Sequence, residues 1–140
     1  MTVEDSMTPK LLLVLSPERK HRLLKALHNG RFLIECASDF QGAKDLLGSE
    51  RHFDLLILDA ELGGGLWKDL LAWSRRLGTV SAAVVCARLG DHQLWSEVLQ
   101  GGAYDLITEP LDAKEVARIV EGALNSRIPA APSQLGPDRS

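Results

Sequence analysis

Cysteine is scarce in this sequence: Cys36 and Cys86 are the only two among 140 residues. Neither belongs to a CxxC pair or stands at ligand spacing from a histidine, so neither a disulfide framework nor a structural zinc site is expected to supply stability. A chain of this length buries enough apolar surface to fold without such staples. Both thiols sit in apolar segments and are expected to be reduced, with the cytoplasm as the default compartment. Long hydrophobic runs are missing too. The longest, residues 11–15 and 55–58, fall far short of the about 20 residues that cross a bilayer, so no membrane span is expected. The first ten residues mix Glu4, Asp5, Thr8 and Lys10; no basic start leads into an apolar run, and no signal peptide is read there. Excess positive charge is also absent. A formal net charge of -3 and a pI near 5.8 leave no basic footprint for a nucleic-acid groove.

What is present is an alternation. Residues 11–15, 54–58 and 82–86 are short apolar runs of the kind that form strands buried on both faces. Residues 32–37 and 105–108 fit the same rhythm, and a helical pattern follows each run. Five strands alternating with five helices imply a parallel sheet covered on both sides. Ser16 and Pro17 read as the cap and first residue of helix one, with Leu23, Leu24 and Leu27 as its buried stripe and Gly30 at its end. Ser38 with Gln41 reads as a capping box for helix two, whose inward face is Phe40, Ala43, Leu46 and Leu47, with Gly48 as its stop. Leu66, Leu70, Leu71 and Leu77 mark helix three, closed by Gly78. Helix four is expected to start at Asp91, to use Leu94, Trp95, Val98 and Leu99, and to end at Gly101 and Gly102. Asp112 with Glu115 caps helix five, where Val116, Ile119, Val120, Ala123 and Leu124 recur with helical period. Three of the six prolines fall after residue 127. The expected organisation is a flexible N-terminus over residues 1–9, one domain over 10–126, and a flexible tail or truncated linker over 127–140.

In an open parallel sheet, ligands bind beyond the carboxyl ends of the strands. There the sequence places Ser16 and Glu18, then Asp59 and Glu61, then Cys86 and Arg88, then Glu109 and Pro110. Residues 53–59, Phe-Asp-Leu-Leu-Ile-Leu-Asp, together with Val84-Val85-Cys86-Ala87-Arg88 and Gly102-Ala103-Tyr104-Asp105-Leu106-Ile107-Thr108-Glu109-Pro110, resemble the receiver domain of bacterial two-component response regulators. The resemblance covers about residues 11–124. It implies a flavodoxin-like (CheY-like) doubly wound three-layer sandwich with a five-stranded parallel sheet in the order 2-1-3-4-5. It also implies that Asp59 is the phosphoacceptor equivalent, that a histidine kinase is a candidate partner, and that the chain is not an enzyme in the ordinary sense.

The departures from that pattern set the functional expectation. The acidic pair that holds Mg²⁺ in receivers aligns with Leu15 and Ser16, the hydroxyl residue with Cys86, the lysine with Glu109, and the aromatic switch residue with Leu106. A hard dication needs oxygen ligands, a thiol donates poorly, and the glutamate reverses the charge. Pro110 is expected to retain the cis bond that this position of the family carries. The expectation is a degenerate receiver with impaired Mg²⁺-dependent phosphorylation and no cofactor, in which Asp59 has no positive partner. It would act through a protein partner or self-association at its fourth-helix, fifth-strand and fifth-helix face, with Trp95, Tyr104 and Leu106 as contacts.

Rival readings stay open. One is a working receiver phosphorylated on Asp59 by a histidine kinase. Another is a small α/β hydrolase or phosphatase, suggested only by Asp59-Ala60-Glu61 and its faint similarity to the haloacid-dehalogenase nucleophile motif. Glu18, Asp59 and Glu61 either rebuild a metal site with Glu109 or are solvated at helix starts. Gly63, Gly64 and Gly65 read as a flexible loop and not a phosphate cradle. Trp67 and Trp73 read as partly buried helix residues, the four histidines as solvated, and Arg88 as the cation near the site mouth.

Overall fold

A computed structural model describes residues 8–28, 30–49, 51–62, 67–88 and 92–126. The elements are β1 (Lys10–Val14), α1 (Pro17–Leu27), β2 (Leu33–Ala37), α2 (Phe40–Leu47), β3 (Leu55–Asp59), α3 (Trp67–Leu77), β4 (Ala83–Ala87), α4 (His92–Gln100), β5 (Asp105–Thr108) and α5 (Ala113–Ser126). All neighbouring strands pair in parallel, in the order β2-β1-β3-β4-β5. This is the doubly wound, flavodoxin-like sheet expected from the alternation. Residues 1–7 and 127–140, read as flexible ends, lie outside the described residues, as do Gly63, Gly64, Gly65, Leu66 and Asp91.

Strand periodicity divides the core into two layers. Leu12, Val14, Leu56, Leu58, Val85 and Ala87 pack with α2, α3 and α4 residues such as Leu47, Leu70 and Val98. Leu11, Leu13, Leu55, Ile57, Val84 and Cys86 pack with Leu23 and Leu27 of α1 and with Val116, Ile119 and Val120 of α5. Because successive side chains alternate across a strand, Asp59, next after Leu58, belongs to the α1 and α5 side. Burying each of these leucines contributes about 1.5–3 kcal/mol. The three inner strands therefore form a rigid frame for the loops at their carboxyl ends.

The helix ends obey local chemistry, with some departures from expectation. Ser16 caps α1 as anticipated, its side chain accepting from the Arg19 N–H, and Pro17 takes the first turn. The helix ends on His28 and not at Gly30. The cap of α2 is Asp39, not Ser38: Asp39 Oδ1 accepts from the Gly42 N–H at 2.7 Å. A carboxylate one residue nearer the helix satisfies the free amide and favours the positive end of the dipole. Gly48 closes α2, and Asp112 caps α5 through the Glu115 N–H at 3.0 Å. Leu77 is exposed at the end of α3, and Gly78 follows with φ of 70°. In α4 only Val98 is buried, so Trp95 and Leu99 stay at the surface. Cys36 is exposed and not buried, because β2 is an edge strand; Cys86 lies in the central strand β4 and is buried.

The reassigned cap is testable by urea denaturation. Asp39→Ala is expected to cost about 0.5–2 kcal/mol, and Ser38→Ala to stay within about 0.5 kcal/mol of the parent.

Candidate functional site

The carboxyl ends of β1, β3 and β5 converge on one side chain that the sequence reading passed over. Arg19 sits in the first turn of α1, on the stripe that continues through Leu23 and Leu27, and is 6% exposed. Its Nη1 lies 2.5 Å from Asp59 Oδ1, its Nη2 lies 2.9 Å from Glu61 Oε1, and its Nε and Nη2 are both 3.1 Å from Glu109 Oε2. One guanidinium thus ties the start of α1 to the segments that follow β3 and β5. The planar fork of five N–H donors suits arginine to this task; a lysine point charge would not reach three carboxylates in one plane.

Asp59 is nearly closed to solvent, its side chain 1% exposed. Oδ2 accepts from the Ser16 N–H at 3.0 Å, and Oδ1 accepts from the Glu61 N–H at 2.9 Å as well as from Arg19. A buried carboxylate persists in charged form only when paired and hydrogen-bonded, and both conditions are met. Burial works against the charge on Arg19, yet hydrogen bonding to Glu61, the charge of Asp59 and hydrogen bonding to Glu109 together raise its pKa above the ordinary value. The guanidinium is a permanent cation here. The expectation that Asp59 has no positive partner is therefore overturned: Arg19 supplies the cation. Glu109, which reverses the sign at its own position, receives Arg19 and also Arg22, whose Nη1 is 3.4 Å away.

The other predicted residues fall into place around this pair. Glu18 does not join the carboxylates; it is 78% exposed and pairs with Arg22 at 3.0 Å. Leu15 is buried among the α1 and α5 core residues. The Ser16 hydroxyl is engaged as the helix cap. Arg88 lines the same polar mouth, and its backbone N–H donates to Glu61, at 3.3 and 3.1 Å from the two carboxylate oxygens. Cys86 is fully buried, and burial pushes its thiol up to about 12; Arg19 opposes that shift, while Asp59 and Glu109 add to it. The Glu109–Pro110 bond is cis.

Magnesium, which the receiver resemblance brings with it, does not fit these residues. Mg²⁺ demands near-octahedral oxygen ligation, Leu15 offers no oxygen, and the Arg19 guanidinium fills the space between Asp59, Glu61 and Glu109. Among the described residues no group of three or more His, Cys, Asp or Glu side chains is placed to hold a metal ion. Glu18, Asp59 and Glu61 as a rebuilt metal site are thus corrected to an arginine-centred cluster.

Away from the site, Trp95 and Tyr104 are 48% and 42% exposed. Tyr104 lies against α5 at Gly122, where a Cβ would come within 2.4 Å of its hydroxyl. Leu106 is not part of that surface; it is buried beneath it, in the layer shared with Val98 of α4. Trp67 is buried, and Trp73 is partly buried with Lys44 Nζ 4.4 Å from its ring centroid. His21, His28, His52 and His92 are exposed. His52 Nε2 meets Ser81 Oγ at 2.9 Å and Asp54 Oδ1 at 3.8 Å. Hydroxyl and carboxylate thus share one ring nitrogen, whereas a catalytic triad sets them on opposite ones.

Fold, strand order and the position of Asp59 at the end of β3 are those of receiver-type domains. No family model matches the chain. It is 27% identical over 127 residues to the response regulator protein PilR of Pseudomonas aeruginosa, covering 89% of this chain and 28% of that protein. The signal receiver domain of an HD domain-containing protein from Pseudomonas fluorescens Pf-5 superposes with a TM-score of 0.75 at 26% identity, covering 86% of this chain and 97% of that one. A response regulator from Thermotoga maritima shares the fold with a TM-score of 0.76 at 21% identity, over 85% and 99% of the two chains.

Two measurements check this site. Arg19→Met leaves Asp59 buried and unpaired, at an expected cost of about 3–5 kcal/mol in chemical denaturation; in an Asp59→Asn background the same change is expected to cost less, by a coupling of about 0.5–3 kcal/mol. Equal costs in both backgrounds would contradict the pairing. Titration of the native protein with an aromatic disulfide reagent at neutral pH is expected to modify Cys36 alone, with Cys86 reacting only after unfolding.

Proposed function

We propose that this domain is a receiver that works through protein contact without a magnesium-dependent phosphorylation cycle, with Arg19 as its built-in cation. The observation that carries this reading is the Arg19–Asp59 pair at 2.5 Å, buried on both sides. Phosphoryl transfer to an aspartate requires an accessible carboxylate oxygen and cationic groups free to stabilise charge on the donor. Here both oxygens of Asp59 accept hydrogen bonds, and the Arg19 guanidinium is already shared among three carboxylates. It has no surplus charge for a dianion.

Output in this reading passes through the face made by α4, β5 and α5. Trp95 and Tyr104 are amphipathic and half exposed, and Leu99, one turn along α4 from Trp95, is 37% exposed. Aromatic residues of this kind anchor interfaces by burying a large rigid area. A histidine kinase is a natural upstream candidate for a receiver fold, and a second protein or a second copy of this chain is the candidate for the output face. The described residues contain no helix long and apolar enough to cross a membrane.

A working receiver is the rival. The position of Asp59 at the end of β3 favours it, and it requires Arg19 to leave the carboxylate. The test is incubation with magnesium and beryllofluoride, or with a small acyl phosphate, followed by fluorine NMR and intact mass. The expected result is no stoichiometric adduct at Asp59 in the parent chain; a saturating adduct in the presence of magnesium would overturn the proposal.

A further inference from the structure

A second cavity lies on the opposite side of the sheet from Arg19. It has a volume of about 230 Å³ and opens where β1 and β3 end beneath the first turns of α2 and α3. Its apolar walls are Val14, Leu58, Phe40, Leu62, Trp67 and Leu70, and its polar lining is Ser38, Asp39 and Asp59. The order β2-β1-β3 places this spot at the point where the strand order reverses, the position at which doubly wound sheets accept ligands. Asp59 and Leu62 also line the polar mouth occupied by Arg19, so they form the partition between the two spaces.

We propose that this cavity binds a small, neutral aromatic molecule of one or two fused rings. Size sets the upper and lower bounds. An apolar cavity of about 150 Å³ is enough to hold benzene, while sites for drug-sized ligands begin near about 300 Å³. Chemistry sets the rest. Phe40 and Trp67 supply aromatic surfaces suited to offset or edge-on ring contacts. Asp59 directs both oxygens to donors around Arg19 and Ser16, and Asp39 is held by the Gly42 N–H as the cap of α2. Asp59 therefore has no oxygen free to recruit a cation, Asp39 stands exposed at the rim with one oxygen engaged, and walls made of apolar side chains penalise a charged ring of either sign. Ser38, also exposed at the rim, is the neutral group placed to meet a single donor or acceptor on the ring. The site shares Asp59 and Leu62 with the mouth occupied by Arg19 and uses none of the arginine contacts, so its failure would leave the account of the cluster intact.

The experiment is an amide NMR titration of the full chain with indole and, separately, with indole carboxylate. Indole is expected to give saturable shifts at residues 38–40, 58–62 and 67–70 with a dissociation constant in about the millimolar range or tighter, as its few heavy atoms permit. The carboxylate is expected to bind at least about tenfold more weakly, because the apolar walls penalise its charge. Leu70→Phe, which fills the cavity, and Ser38→Trp, which covers its rim from an exposed position, are each expected to weaken indole binding at least about tenfold. The second variant keeps the test decisive if the first fails to fold. Absence of saturable shifts in the parent, shifts scattered over the surface, or unchanged binding in a folded variant would overturn the proposal.

Discussion

The whole carboxyl end of this sheet depends on one buried charge being answered by another. Asp59 has almost no contact with water, and an isolated carboxylate in such a place would cost several kcal/mol. Arg19 removes that cost by meeting it at 2.5 Å while also holding Glu61 and Glu109. The arrangement is mutual: the desolvated arginine needs the three carboxylates as much as they need it. Removing either charge leaves the remainder stranded in a low-dielectric setting, whereas removing both would leave the apolar frame of β1, β3 and β4 much as it is.

This exchange accounts for the group of unusual residues as a set. Leu15 in place of a ligand, Cys86 in place of a hydroxyl and Glu109 in place of a cation look like independent losses when read one at a time. With Arg19 among them they become compatible. A glutamate at 109 is an acceptor for the Arg19 and Arg22 side chains. A thiol at 86 asks for no strong hydrogen bond in a crowded polar corner. An apolar residue at 15 extends the core beneath α1. In the proposed reading the arginine takes the place that a removable ion would hold, and a site so filled is suited to one fixed state.

Much of the fold was legible because strand and helix periods are short-range signals. The apolar runs marked every strand to within a residue, and Ser16 with Pro17 and Asp112 with Glu115 announced two helix starts through local capping chemistry. Ser38 misled because Asp39, its neighbour, is an equally good cap, and only the backbone decides between them. Leu106 and Cys36 misled because exposure in a strand depends on which elements cover it: Leu106 lies in the buried layer that Val98 of α4 joins, while β2, at the sheet edge, pairs with β1 alone among the described strands. Arg19 was the costly omission, though a signal existed. Stepping back four residues at a time from Leu27 through Leu23 lands on Arg19, so an arginine continues the buried stripe of α1. A cation on an apolar stripe demands a buried acid, and Asp59 was already the one acid ending a wholly apolar strand. The partnership with Glu61 and Glu109 was beyond local reading, since it joins residues up to 90 positions apart in sequence.

The most direct measurement of this account is nitrogen-detected NMR of the arginine side chains, assigned by comparison with Arg19→Lys. An Arg19 guanidinium locked between three carboxylates is expected to show separate, downfield-shifted Nη proton signals that exchange slowly with water and stay unchanged when magnesium is added. A single averaged signal resembling that of the exposed arginines, or one that changes on addition of magnesium, would contradict it.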